Sequence, residues 1–309
     1  MTLFLFFILI FVAVFLVYSI HSGFKYTRMI ANIFLSLVYK PSLESFSSGR
    51  GEKISILSSS DTQLEALFCQ AQDPRGIVIF CHESGSSKES WEKYAFFLPE
   101  QGFHVLSIDY QEKSDPGVKN SLHQWPITED VDRLSVAIRW AKKAVKDNQP
   151  VILFGVSMGA DVALAASSRE SAVKAVIADG LFSMKEIFRD YIRKWAPVLV
   201  RPNLFGEHYP GWVVAIFTNL GFWYSQKKSK KIFVDVEKIL CQSHPPLLMI
   251  YGEKDDYIPV THQQFLEKKN HFSESTRRLV VPEAGHNQAI VLGREAYEKT
   301  ILDFLRKSL

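Results

Sequence analysis

The sequence predicts an α/β protein, a mostly parallel sheet covered by helices on both faces, preceded by one helix long and apolar enough to span a bilayer. From residue 54 onward, short runs rich in Val, Ile, Leu and Phe alternate with longer polar-and-apolar stretches. That is the pattern of parallel strands joined by crossover helices. Ahead of them, residues 2–24 contain no Asp, Glu, Lys or Arg.

The apolar front comes first in the chain. Its core, LFLFFILIFVAVFLV at 3–17, is unbroken. As a helix, 23 residues at about 1.5 Å each give roughly 34 Å, enough for a hydrocarbon layer of about 30 Å. A cleaved signal peptide would bring a basic leading region, a shorter apolar core and a small-x-small cleavage site. Here only Met1 and Thr2 precede the run and no Ala-x-Ala follows, so residues 1–24 are read as a retained transmembrane anchor. Lys25, Arg28 and Lys40 follow the span. The positive-inside tendency therefore places the remainder of the chain in the cytoplasm. Residues 25–51 read as a juxtamembrane segment and linker. Within them MIANIFLSLVY (29–39) is too short to cross and is expected along the interface or against the domain, and PSLESFSSGRGE (41–52) is linker-like.

Eight strands are expected in the remaining domain, 52–309. ISIL (54–57) and LEALFCQA (64–71) flank a polar turn and form a hairpin. GIVIFCH (76–82), HVLSIDY (104–110), VILFGVS (151–157), VKAVIADG (173–180), PLLMIYGEKD (246–255) and RRLVVPEAGH (277–286) follow. Helices are expected near 88–99, 127–147, 158–168, 260–269 and 293–308. Residues 181–245 interrupt this rhythm between the sixth and seventh strands, with an aromatic-rich stretch that includes Phe188, Tyr191, Trp195, Trp212, Phe222 and Trp223.

Composition excludes several classes. Of the 309 residues 47% are apolar and 22% charged, ordinary for a chain with a real core. A net charge of +3 without a basic stripe gives no sign of nucleic-acid binding. The densest basic cluster, Lys227, Lys228, Lys230 and Lys231, reads as a solvated helix end or loop, with a contact to anionic lipid as the alternative. Cys69, Cys81 and Cys241 are widely spaced and odd in number. They are expected to be buried free thiols, with neither a disulfide framework nor a metal site. No cofactor is expected.

Chemistry enters at Gly155-Val156-Ser157-Met158-Gly159, which follows the strand VILF and opens the small-residue helix ADVALAASS. A strand-to-helix turn that tight strains the serine backbone and projects its hydroxyl alone. The glycines on either side allow close approach of neighbouring backbone. Free N–H groups at the helix start then face any developing oxyanion. A serine hydroxyl needs a base, and the base needs an orienting carboxylate. Asp255 and Asp256 lie just beyond one apolar strand, in LLMIYGEKDDYIP, and His286 lies beyond another, in RRLVVPEAGHN. Strand ends of this kind meet at one rim of a parallel sheet. His104, His262 and His271 lack that setting.

These segments resemble the α/β-hydrolase superfamily over residues 52–309. GVSMG resembles its nucleophile elbow, GEKDDYIP its G-x-x-D acid turn and EAGHN its histidine loop. The resemblance implies an eight-stranded α/β-hydrolase fold with a helical cap at 181–245, and a catalytic set of Ser157, Asp255 and His286. Counting three residues from Gly252 selects Asp255. Asp256 is a neighbour expected to cap the following helix, and Asp179 is the alternative acid of some relatives. By position the oxyanion donors are the backbone N–H groups of Met158 and Ser84. Family members carry His-Gly-x there, whereas this chain reads His82-Glu83-Ser84. Glu83 is a less favoured first donor, or else a group that hydrogen-bonds locally or tunes His286. Asp109 is expected to tie loops together.

The resemblance implies acyl transfer to water through an acyl-enzyme on Ser157. A membrane-proximal carboxylic ester with an acyl chain, such as a small lipid, is the first expectation for the substrate. A serine peptidase or amidase comes next, then a thioesterase. A non-catalytic binding module on the same fold is the reading of another class. Oligomeric state has no signature in the sequence.

Overall fold

The computed structural model describes residues 2–36, 49–57, 63–110, 125–146, 148–201, 206 and 208–309. It divides into two units: helix α1 (Thr2–Ser36) together with Lys185–Lys231 forms one, and the sheet with its flanking helices forms the other.

The sheet unit contains, in chain order, β1 (Glu52–Leu57), β2 (Gln63–Cys69), β3 (Gly76–Cys81), α2 (Trp91–Tyr94), β4 (Phe103–Ile108), α3 (Thr128–Ala144), β5 (Val151–Val156), α4 (Met158–Ser167) and β6 (Val173–Asp179). Beyond Lys231 the sheet unit resumes with α7 (Val236–Leu240), which falls inside the expected insertion, and then β7 (Leu247–Gly252), α8 (Val260–Lys269), β8 (Thr276–Val281), α9 (Ala289–Leu292) and α10 (Arg294–Ser308). The strands lie in the order β1-β2-β4-β3-β5-β6-β7-β8. β1 and β2 pair antiparallel, as the hairpin reading expected, and β2 meets β4 antiparallel. Every later pair is parallel.

Alternation along the central strands builds a core on each face. In β3, Ile77, Ile79 and Cys81 face a cluster with Val131, Leu134 and Ile138 of α3 and Val162 of α4. Val78 and Phe80 face the other, with Trp91 and Tyr94 of α2 and Tyr297, Ile301 and Phe304 of α10. Both β3 and β5 are buried throughout, which is why they read as unbroken apolar runs rather than alternating ones. Between β3 and β5 the sheet reverses its direction of growth, since β3 is followed by β4 on one side and β5 by β6 on the other. Crevices for ligands form at the strand ends of such switch points.

Two local expectations are corrected. The helix expected over 88–99 is only the short α2, bracketed by 3₁₀ turns at Lys88–Ser90 and Pro99–Gln101. Asp109 fixes the first turn by accepting from both the Lys88 amide and its ammonium, and Gly102 in a left-handed conformation closes the second. The thiols are not uniformly buried either. Cys81 is, and burial pushes it up to about 12, whereas Cys69 is half-buried and Cys241 exposed.

In the helical unit, α1 continues past residue 24 to Ser36 without a break. The first part of the expected juxtamembrane segment is therefore helical; residues 37–48 of it lie outside the described residues. The apolar side chains of residues 3–17 are exposed, and the helix is long and apolar enough to cross a membrane. Farther along, Thr27, Ile30, Ala31 and Phe34 are buried at helical spacing. That face packs on α5 (Met184–Leu199) and α6 (Gly211–Ser229). Phe34 meets the Phe188 ring edge-on at 4.8 Å, and Lys228 donates to the Asn32 side chain at 2.6 Å.

Candidate active site

Ser157 joins β5 to α4 with φ 51° and ψ −118°. That positive φ, with ψ far from the left-handed helical well, is one a non-glycine residue adopts only under constraint from its surroundings. The constraint is visible in the flanking glycines. A Cβ on Gly155 would stand 2.2 Å from the Gly159 carbonyl oxygen, and one on Gly159 would stand 2.1 Å from the carbonyl oxygen of Cys81. Any larger residue would push the helix off the strand or the end of β3 off the helix. The Ser157 amide donates to the carbonyl of Asp179 at 2.7 Å, fixing the turn to the end of β6.

Ser157 Oγ lies 3.0 Å from His286 Nε2, and His286 Nδ1 lies 2.8 Å from Asp255 Oδ2. The second oxygen of Asp255 accepts the backbone N–H groups of Tyr257 and Ile258, both at 2.8 Å. Those donors orient the carboxylate, which orients the imidazole, which meets the hydroxyl. The turn after β7 and the histidine loop interlock: a Cβ on Gly252 would stand 2.3 Å from the Ala284 carbonyl oxygen. On either side of the loop's Ala284–His286 stretch, Glu283 and Asn287 both have φ 59°, a local strain that the sequence alone does not announce. Of the adjacent acids, Asp255 is buried and Asp256 exposed. Asp256 does not cap α8 as expected; that helix begins behind Pro259 with no side-chain cap.

The loop after β3 runs beside the start of α4, as the contact of Gly159 with the Cys81 and His82 carbonyls requires. Among the described residues, neither the Ser84 nor the Met158 amide has a backbone acceptor, leaving both free to donate to an oxyanion. Glu83 is buried and accepts from Ser90 Oγ at 3.1 Å, the local hydrogen bond considered for it. His82 Nδ1 lies 2.8 Å from the Glu83 carbonyl oxygen, and its ring lies against Tyr110. Asp109 ties loops together as expected, 2.5 Å from the ammonium of the buried Lys88.

Sequence reading misses the setting of two buried ionisable groups. Lys88 sits within a polar loop segment and carries no motif. Asp179 stands in the sequence reading only as an alternative acid, yet Tyr297 donates to its Oδ2 at 2.7 Å. Burial pushes Asp179 up to about 7, opposed first by that phenol and then by His286. Among the described residues no cluster of His, Cys, Asp and Glu has the geometry of a metal site.

Comparison with known proteins gives the same frame. Protein ABHD12B of Homo sapiens is 25% identical over 246 residues, 76% of this chain. The match spans 62% of that human protein's length, less than two thirds. The uncharacterized protein YqkD of Bacillus subtilis is 23% identical over 270 residues, 85% of this chain and 81% of that protein. The solved esterase Pf2001 of Pyrococcus furiosus has a TM-score of 0.61 at 18% identity, over 89% of this chain and 99% of its own, a likeness of fold. The profile of the alpha/beta hydrolase family matches residues 78–299, more than half of the sequence, and the chain belongs to that family.

Proposed function

We propose that the chain is a membrane-anchored serine hydrolase that cleaves a carboxylic ester bearing an acyl chain. One observation carries this reading: a strained serine at a strand-to-helix turn meets an imidazole at 3.0 Å, and a buried carboxylate holds that imidazole at 2.8 Å. His286 takes the Ser157 proton as Oγ attacks the ester carbonyl. Asp255 keeps the imidazole in the tautomer that can accept it. The Met158 and Ser84 amides receive the oxyanion. His286 then protonates the departing alcohol, and water, activated by the same imidazole, releases the acid and restores Ser157. The apolar helix holds the enzyme near lipid. Basic residues just past the span, Lys25 and Arg28, favour a cytoplasmic domain.

A fluorophosphonate probe tests the chemistry. Wild-type protein is expected to label at Ser157, and Ser157→Ala to abolish both labelling and hydrolysis of a short aryl ester. Unchanged turnover in a folded Ser157→Ala protein overturns the reading. Carbonate extraction should leave the chain in the membrane, and protease added to intact cells should leave the domain uncut. Release by carbonate removes the anchor, and digestion from outside reverses the orientation.

A further inference from the structure

Within the helical unit, α1, α5 and α6 enclose a cavity of about 260 Å³ that the chemistry of Ser157 does not account for. Small residues make the space. Ser19, Ser22 and Gly23 on α1 face Ile192 and Ala196 on α5, and a Cβ on Gly23 would already stand 3.1 Å from the Phe217 ring. Protein interiors hold few voids larger than a water molecule, and a mostly apolar wall favours an apolar guest.

The cavity has a direction. At one end its wall is fully buried, with Ile30 3% and Phe188 0% exposed. At the other, Phe15 and Tyr18 are about half exposed, 48% and 50%, where the apolar stretch of α1 ends. Arg201 is the one charged side chain among the described residues of the wall. Its backbone carbonyl accepts from the hydroxyls of both Tyr18 and Tyr26 at 3.3 Å, and one guanidinium nitrogen, Nη1, donates to the Pro197 and Val200 carbonyls at 3.3 and 2.8 Å, which holds the guanidinium against the end of α5.

We propose that this cavity holds the chain of a single-chain amphiphile whose anionic head pairs with Arg201. An apolar cavity of about 150 Å³ takes a benzene ring, so about 260 Å³ suits a single alkyl chain of medium length. Drug-sized ligand sites begin at about 300 Å³ and combine apolar walls with a few polar anchors. This one is slightly smaller and has a single cation at its mouth.

The test uses the full chain in phosphatidylcholine nanodiscs and decanoic acid carrying a diazirine at its chain end. Photolysis and peptide mapping are expected to place adducts on α5, around Phe188 and Ile192. Excess decanoate should reduce these adducts at least tenfold, and decyltrimethylammonium should not. Competition by decyl phosphate as well assigns a general anion; competition by decanoate alone assigns a carboxylate. Ala196→Phe and Ser22→Phe fill the cavity from opposite walls. Each should abolish the α5 adducts while those on residues 3–17 persist, showing that the helix is still presented to lipid. Arg201→Gln should weaken competition by decanoate about fivefold, the upper range for an exposed ion pair. Ser157→Ala should change none of this, so the chain site stands or falls apart from the proposed chemistry. Adducts confined to residues 3–17, α5 labelling indifferent to both filling variants, or equal competition by the cation overturns the proposal.

Discussion

Two neighbouring parallel strands, β6 and β7, each deliver an aspartate toward His286, and the two carboxyl groups are held differently. Asp255, three residues past the end of β7, accepts two backbone N–H groups on one oxygen and the imidazole on the other. Asp179, the last residue of β6, is buried with the Tyr297 hydroxyl as its side-chain partner, and burial raises it to about 7. Part of that rise comes from the charge of Asp255 itself. Donor count separates them: Asp255 accepts three directed N–H groups, whereas Asp179 has a single phenol in a dry pocket, which leaves its neutral acid competitive. The residue following Asp255 supplies a third case, a carboxylate left in solvent.

The strongest way to break this comparison is Asp255→Asn. The amide keeps the shape of the side chain but removes the charge that, in the proposed mechanism, selects the His286 tautomer. A loss on the order of 10⁴ in kcat for an aryl ester is expected, with thermal stability reduced far less than activity. If Asp255→Asn retains more than a tenth of wild-type kcat and Asp179→Asn does not, the acid comes from β6 and the roles of the two strands exchange.

How much of this was legible depends on whether a residue's role is local. The eight strands were legible because buried strands declare themselves as apolar runs. The elbow was legible because two glycines must flank a turn where backbone atoms would otherwise clash with any Cβ. Asp255 and His286 were legible by their place just after strand ends. What escaped depends on partners distant in sequence. Tyr297 reaches Asp179 across 118 residues, and Lys88 meets Asp109 across 21; no spacing rule encodes either contact. The extent of α1 was also hidden. The charge-free window closes at Lys25, whereas the helix continues because one face of residues 27–34 finds apolar cover on α5 and α6. An exposed Asp256 without a capping role was missed for the opposite reason, since Pro259 starts α8 three residues later than a capping aspartate would need.

Asp179→Asn sharpens the contrast through pH. Its carboxyl is raised from the ordinary 3.8 to about 7, so the folded protein binds a proton that the unfolded chain has released across that window. Stability from this group is thus complete below about pH 4 and is lost as pH rises toward 7, after which the cost is constant. An asparagine never ionises and escapes that cost. The midpoint of thermal unfolding of Asp179→Asn relative to wild type should therefore climb between pH 4 and pH 7 and level off above. The gain should be roughly 4 kcal/mol at most, from about three pKa units at 1.36 kcal/mol each. A difference independent of pH would show that Asp179 is ionised in the fold throughout. Activity at neutral pH should change less than tenfold, because the Tyr297 hydroxyl can still donate to the amide oxygen.

Asp256→Asn is the smallest expected effect and the most demanding of the register. Asp256 is exposed and lies four residues ahead of the first residue of α8, whose N-cap is Pro259. It caps no amide of that helix. What remains is a weak charge effect: a negative group near a helix N-terminus contributes about 0.3–1 kcal/mol at low salt, fading beyond the first turn. Asp256→Asn should therefore shift stability by no more than about 0.5 kcal/mol, the usual range for an exposed surface site. That shift should vanish at high salt, because charges this exposed are screened, and kcat should stay within a factor of about two. Paired measurement of Asp255→Asn and Asp256→Asn on one aryl ester, at low and high salt, reads both the chemistry and the charge effect. A large fall in kcat for Asp256→Asn with little change for Asp255→Asn would mean that the chain turns one residue later after β7, and that the carboxylate facing His286 is the second of the pair.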